Sequence, residues 1–152
     1  MLDKFSKTLT RDGWKEYTSI KVNEDEALGY NPSTMKLEWT LILNVFSFID
    51  TRMYILSNGA WGFTASSNQE WLTEEGSTIK TENITLHTNI LAQVSSDEDG
   101  VPAEIGSRRR IVTNLLIQPA DIDIGYVLAT GVGTWLTRFD NNTGIAYCND
   151  YV

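Results

Sequence analysis

The sequence predicts an all-β fold: an antiparallel β-sandwich or jelly-roll-like barrel of about eight to nine strands, with at most one or two short helices. Three observations predict it. The chain is rich in threonine and in aromatic residues, with 5 Trp, 6 Tyr and 5 Phe, types that suit a pleated, half-buried surface. Apolar residues alternate with period two, as in Leu37, Trp39, Leu41, Leu43, Val45 and again in Ile84, Leu86, Ile90, Ala92, Val94, which places one face inside and one in water. Turn residues separate short apolar runs, and the helical patterns of about 10–15 residues that mark parallel βαβ units are missing from the intervals.

Taken in order, residues 1–12 read as an N-terminal arm or short helix, since Leu2, Phe5 and Leu9 have helical spacing. Residues 13–152 read as a single sandwich domain with strands near 14–22, 35–49, 53–57, 60–65, 82–94, 110–118, 122–129, 133–139 and 144–151. In the strand over 35–49, Ile42, Phe46 and Phe48 add apolar groups to the second face, so both faces are expected to be covered towards its end. Asn58-Gly59 is the strongest turn signal, because both residues tolerate the positive φ of a two-residue hairpin; that register sets Leu56 opposite Trp61 and Tyr54 opposite Phe63. Ser67-Asn68-Gln69-Glu70 has the form of a capping box and predicts a short helix through Trp71 and Leu72. A second hairpin turn is expected at Asp140-Asn141-Asn142-Thr143-Gly144. Residues 95–110 form a long charged loop, acidic at Asp97, Glu98 and Asp99 and basic at Arg108, Arg109 and Arg110.

The 152 residues carry 20 acidic and 12 basic side chains, a net charge of −8. Length supports one domain. The charge argues against a nucleic-acid partner, because a polyphosphate is held by concentrated Lys and Arg. One cysteine, Cys148, cannot form an intramolecular disulfide. Residues 1–10 carry Asp3, Lys4 and Lys7 and lack the apolar run of a secretory signal. The apolar stretch over 37–49 falls short of the ~20 residues a membrane helix needs.

Chemical signatures are sparse. His87 is the single histidine, which excludes a multi-histidine metal site, and it lies on the polar face of its predicted strand. Cys148 shares parity with Ala146 and reads as a packing residue. No G-x-S-x-G elbow exists for a serine nucleophile. Gly131-x-Gly133 lacks the third glycine of a dinucleotide fingerprint, with Leu136 in its place. Asp140-x-Asn142-x-Gly144 resembles the start of a calcium loop, but Ile145 and Tyr151 stand where its later glycine and glutamate belong. Asp121 and Asp123 share a strand face without completing a site. No catalytic residue, cofactor or metal is therefore expected, and the chain does not read as an enzyme.

What remains is contact. The protruding N-terminal segment, the charged loop and the polar strand faces resemble, in kind, bacteriophage and viral virion proteins such as capsid decoration, neck or tail components. That resemblance implies a self-assembling structural protein, made in the host cytoplasm and resident in the virion, with itself and other structural proteins as partners. Leu2, Phe5, Leu9, Asp97, Glu98, Asp99, Arg108, Arg109 and Arg110 are its expected interface residues. The alternative is a carbohydrate-binding sandwich in which Trp14, Trp71 and Trp135, near strand ends, stack on a glycan.

Overall fold

Turn chemistry and apolar alternation give antiparallel strands throughout the computed structural model, which describes residues 1–93, 109–140 and 142–148. The strands are β1 (Lys7–Thr10), β2 (Gly13–Glu16), β3 (Glu26–Asn31), β4 (Lys36–Thr51), β5 (Met53–Ser57), β6 (Gly62–Ser66), β7 (Glu70–Leu72), β8 (Thr78–Lys80), β9 (Ile90–Gln93), β10 (Arg109–Val112), β11 (Leu116–Pro119), β12 (Asp123–Thr130), β13 (Thr134–Phe139) and β14 (Asn142–Tyr147). Single 3-10 turns cover Tyr17–Ser19 and Thr81–Asn83. The all-β prediction holds. The largest sheet runs β12-β4-β3-β1-β13-β14-β7-β8 with β2 beside β1, and smaller sheets comprise β11-β5-β6 and β10-β9.

Residues 1–12 are neither an arm nor a helix. β1 pairs with β2, β3 and β13, and Leu2 and Leu9 are buried in this chain's own core. The helical spacing of Leu2, Phe5 and Leu9 is coincidental: Leu2 and Leu9 enter separate apolar clusters, and Phe5 is 62% exposed. The capping box also fails as a helix signal. Gln69 N donates to Ser66 O (3.3 Å), closing a turn that leads directly into β7.

The Asn58-Gly59 hairpin exists with a wider loop than expected. Ser57 pairs with Gly62 and Leu56 with Phe63, so four residues lie in the loop. Asn58 Oδ1 accepts from Ala60 N (2.9 Å) and Trp61 N (2.8 Å), and Gly59 alone of the two takes positive φ (+89°). The second hairpin is tighter: Phe139 pairs with Asn142, with Asp140 at φ +51°. Residues 84–89, expected as strand, instead form a threonine-closed turn in which Thr88 N donates to Thr85 O (3.1 Å) and Thr85 N to Thr88 Oγ1 (2.9 Å).

Leu37, Trp39 and Val45 of the predicted face of β4 are half-buried against the two apolar clusters, and Phe46 packs from the second face as expected, but in the middle of the strand the buried parity is the opposite of the predicted one. Thr40 and Ile42 are buried, whereas Leu41 and Leu43 are exposed. The cause is a change of partner: β3 covers β4 as far as Leu41, and β12 takes over at Ile42. The turn between β12 and β13 lies over the Thr40 face, with Val132 N donating to Thr40 Oγ1 (3.1 Å).

Two apolar clusters form the interior. One gathers Trp61, Phe63, Trp71, Trp135, Tyr17 and Leu2; the other holds Leu9, Leu28, Tyr30, Leu72, Leu136 and Ile145. Trp61 and Trp71 meet edge-on at 5.9 Å, and Phe63 tilts against both at 5.0 and 5.3 Å. Gly144 admits this packing, because a Cβ there would come within 3.1 Å of the Trp71 ring. Three buried aromatic contacts of this kind add about 0.5–1.5 kcal/mol each beyond area burial.

Candidate functional site: residue 1 beside the end of β14

The N-terminal residues thread between two strands. Leu2 N donates to Tyr126 O (2.9 Å) and Tyr126 N to Leu2 O (2.8 Å), while Asp3 N donates to Thr64 O (3.2 Å). Leu2 thus bridges β12 and β6, and its side chain is wholly buried. That docking carries residue 1 to the end of β6, where Ser66 N donates to Met1 O (2.8 Å).

Two side chains then grip the Met1 nitrogen. It donates to Ser66 Oγ (3.0 Å) and to Gln69 Oε1 (2.7 Å). Gln69 is completely buried and uses the other half of its amide elsewhere, with Nε2 donating to Glu70 O (2.9 Å) and to Tyr147 O (3.2 Å). One carboxamide therefore ties residue 1 to the last strand. Its own backbone is fixed by Thr81, whose N (2.9 Å) and Oγ1 (3.1 Å) both donate to Gln69 O. Trp71 Nε1 in turn donates to Thr81 Oγ1 (3.0 Å).

The Met1 side chain lies between β12 and the end of β4. A Cβ on Gly125 would stand 2.9 Å from Met1 Cβ and 3.1 Å from its sulfur, so a residue without a side chain is required here. Thr51 Oγ1 donates to Met1 Sδ at 3.8 Å.

Beyond Tyr147, Cys148 is seated on the turn between β12 and β13. Its N donates to Gly133 O (2.9 Å), and its Sγ lies 3.7 Å from Thr130 Oγ1. Burial pushes the thiol pKa up to about 11, so it stays protonated at neutral pH and is a poor nucleophile. Burial, followed by the nearby Tyr30 and Glu70, pushes Tyr147 to about 12. Asp3 is also buried, and desolvation raises its carboxyl pKa against the lowering effect of bonds from Ser6 N and Phe5 N.

The predicted site residues fall elsewhere. Trp71 and Trp135 are fully buried, with indole N–H groups spent on Thr81 Oγ1 and on Tyr17 OH (3.4 Å). Neither offers a face to a sugar, and Trp14 is half-buried beneath Arg138, whose guanidinium lies 5.2 Å from the ring. Of the expected interface, Leu2 and Leu9 are interior. Asp97, Glu98, Asp99 and Arg108 lie outside the described residues, while Arg109 and Arg110 belong to β10, opposite Gln93 and Ala92. His87 is exposed in the turn over 85–88. Asp123 accepts from its neighbour Ile124 N (2.8 Å) and pairs with Lys4 (3.5 Å), and Asp121 is exposed. Among the described residues no group of three His, Cys, Asp or Glu side chains could hold a metal ion, and no helix is long and apolar enough to cross a membrane.

Sequence reasoning missed Met1, Ser66 and Gln69. Ser66 and Gln69 sit inside and beside a turn signal, and nothing local tells that their partner is residue 1, more than sixty positions away.

No protein-family model matches the chain, and no curated protein matches it in sequence. Its fold, however, is intein-like. It is similar to the AceL NrdHF class 3 split intein, solved as a GSH-linked, splice-inactive variant in which one cysteine and one asparagine are replaced by alanine: 14% identity, TM-score 0.79, covering 97% of each chain. It is also similar to the DnaB intein from Synechocystis sp. PCC 6803, with 18% identity, TM-score 0.74 and 97% of each chain covered. The DnaX mini intein from Spirulina platensis gives 19% identity and TM-score 0.69 over 97% of this chain and 98% of that one.

These likenesses overturn the functional expectation. These solved structures are inteins, so neither the virion component (capsid decoration, neck or tail) nor the carbohydrate-binding module stands. The resemblance to virion proteins rested on a protruding N-terminus, and that segment is packed inside the sheet. The expectation that the chain is not an enzyme is qualified by the same finding, since these fold neighbours are inteins.

Proposed function

We propose that this chain is an intein-like domain of the protein-splicing class, whose site acts on its own polypeptide by holding the two ends together. The observation that carries this reading is the Gln69 carboxamide, which binds the residue 1 nitrogen with its oxygen and the Tyr147 carbonyl with its nitrogen. Splicing excises a domain and joins its flanks, so both junctions must lie at one place. The likeness to inteins over 97% of the chain supports the same reading.

Met1 brings no nucleophile of its own to the first junction. Acyl transfer from the carbonyl preceding residue 1 needs a thiol or hydroxyl held beside that carbonyl, and the Met1 thioether has no proton to lose. Cys148 does not substitute, because it is buried and held protonated. It is followed in sequence by Asn149, outside the described residues; a cysteine and an asparagine are the two residue types removed in the splice-inactive neighbour.

The test is a fusion with one reporter before residue 1 and another after residue 152, followed by intact mass. The parent chain is expected to keep the upstream reporter. Met1→Cys leaves the nitrogen in the Ser66–Gln69 grip and places a thiol where the Met1 side chain lies, between β12 and the end of β4, and is expected to release that reporter when dithiothreitol is added. A folded Met1→Cys chain that remains uncut under thiol overturns the reading.

A further inference from the structure

A cleft of about 570 Å3 opens at the far end of β1, lined by Phe5, Lys7, Trp14, Arg138, Phe139 and Asp140. Its chemistry is unusual for a chain of net charge −8. Lys7 stands directly opposite Arg138 across the β1–β13 ladder, a like-charge pairing that destabilises a sheet unless an anion lies between the two. On its other side Lys7 is in register with Glu16 of β2, and Asp140 follows Arg138 by two residues. Neither carboxylate comes within 4.0 Å of either cation. Among the described residues both cations are without an ion-pair partner.

Arg138 is held in place for binding. Its guanidinium stacks over the Trp14 ring at 5.2 Å, and its Nε donates to Asp140 O at 2.6 Å. That leaves the two terminal nitrogens of a fixed, planar fork, the geometry that pairs with a carboxylate through parallel hydrogen bonds. Around this pair lie the exposed ring of Phe5, 62% accessible, the partly buried Phe139, and the Trp14 indole, whose N–H is buried with no acceptor. Aromatic walls beside two unpaired cations suit an extended segment that alternates carboxylate and apolar side chains.

We propose that this cleft is a docking site for an acidic peptide segment of a partner protein, with one carboxylate clasped between Lys7 and Arg138 and a neighbouring apolar side chain against Phe5 and Phe139. This inference is independent of the splicing reading, since it uses none of the residues that hold the chain ends.

The probe is acetyl-Asp-Phe-Asp-amide, titrated into the full chain while the Trp14 indole N–H resonance is followed by NMR, assigned through Trp14→Phe. Saturable shifts are expected. The analogue acetyl-Asn-Phe-Asn-amide is expected to bind at least about tenfold more weakly, as loss of one bidentate charged contact implies. Arg138→Met is expected to weaken the acidic peptide to the level of the Asn analogue, and Lys7→Met, on the outer side of the pair, serves if Arg138→Met disturbs the fold. Absence of shifts at millimolar peptide, equal binding of the Asn analogue, or unchanged binding in a folded Lys7→Met or Arg138→Met chain overturns the proposal.

Discussion

Replacing Gln69 by leucine keeps the volume of a fully buried side chain and removes the hydrogen bonds that join the chain ends. Three contacts disappear: to the Met1 nitrogen (2.7 Å), to Glu70 O (2.9 Å) and to Tyr147 O (3.2 Å). A buried hydrogen bond contributes about 1 kcal/mol net, and a partner left unpaired costs about 1–3 kcal/mol. Met1 retains Ser66 Oγ (3.0 Å), which limits its share. Together these give a loss of about 3–5 kcal/mol. For a domain of this size about 1 kcal/mol moves Tm by roughly 2–4 °C, so a fall of about 6–20 °C is expected. Guanidinium denaturation followed by tryptophan fluorescence reads it, since Trp71 lies two residues from the substitution. Leucine also leaves the Tyr147 carbonyl without this donor, so hydrogen exchange at the Met1–Leu2 and Tyr147–Cys148 segments is expected to accelerate together. A loss below about 1 kcal/mol, or faster exchange at only one of the two segments, would show that Gln69 does not couple them.

Asp3→Asn preserves an oxygen for Ser6 N and Phe5 N and removes a buried charge. Because burial raises the folded-state pKa, the carboxyl's favourable contribution is fully present below the ordinary carboxylate range and is lost as pH rises through the folded value; the amide is therefore expected to raise stability at pH 7, with no gain near pH 3, as thermal melts at the two pH values would reveal. Cys148 follows the same sign in alkali. Its neutral thiol stabilises the fold below about 9, and that contribution is lost as pH climbs through about 11. At pH 8 a thiol reagent is thus expected to label Cys148 much more slowly than a free thiol, with full labelling in denaturant; equal rates would contradict its burial.

Much of the architecture was legible because it is locally encoded. The hairpin at Asn58-Gly59 follows from side-chain acceptors and a positive φ, and the alternation in 134–139 follows from Trp135 and Leu136 serving separate clusters on opposite faces. Errors arose where tertiary context decides the inside. Ile42, rather than Leu41 and Leu43, became core because β4 changes partner there, and Ile84 and Leu86 alternate within a turn. Trp71 and Trp135 looked terminal in short runs, yet each indole N–H finds a buried hydroxyl, so both could be interior. The site was the least legible part, because it joins Met1, Ser66, Gln69 and Tyr147 by contacts of long sequence separation.

That one buried carboxamide joins residue 1 to the end of β14 can be read by NMR on the chain labelled at glutamine side chains. The Gln69 amide protons are expected to exchange slowly with water and to show cross-relaxation to protons of both Met1 and Tyr147. A rapidly exchanging Gln69 amide, or one near Met1 but remote from Tyr147, would contradict it.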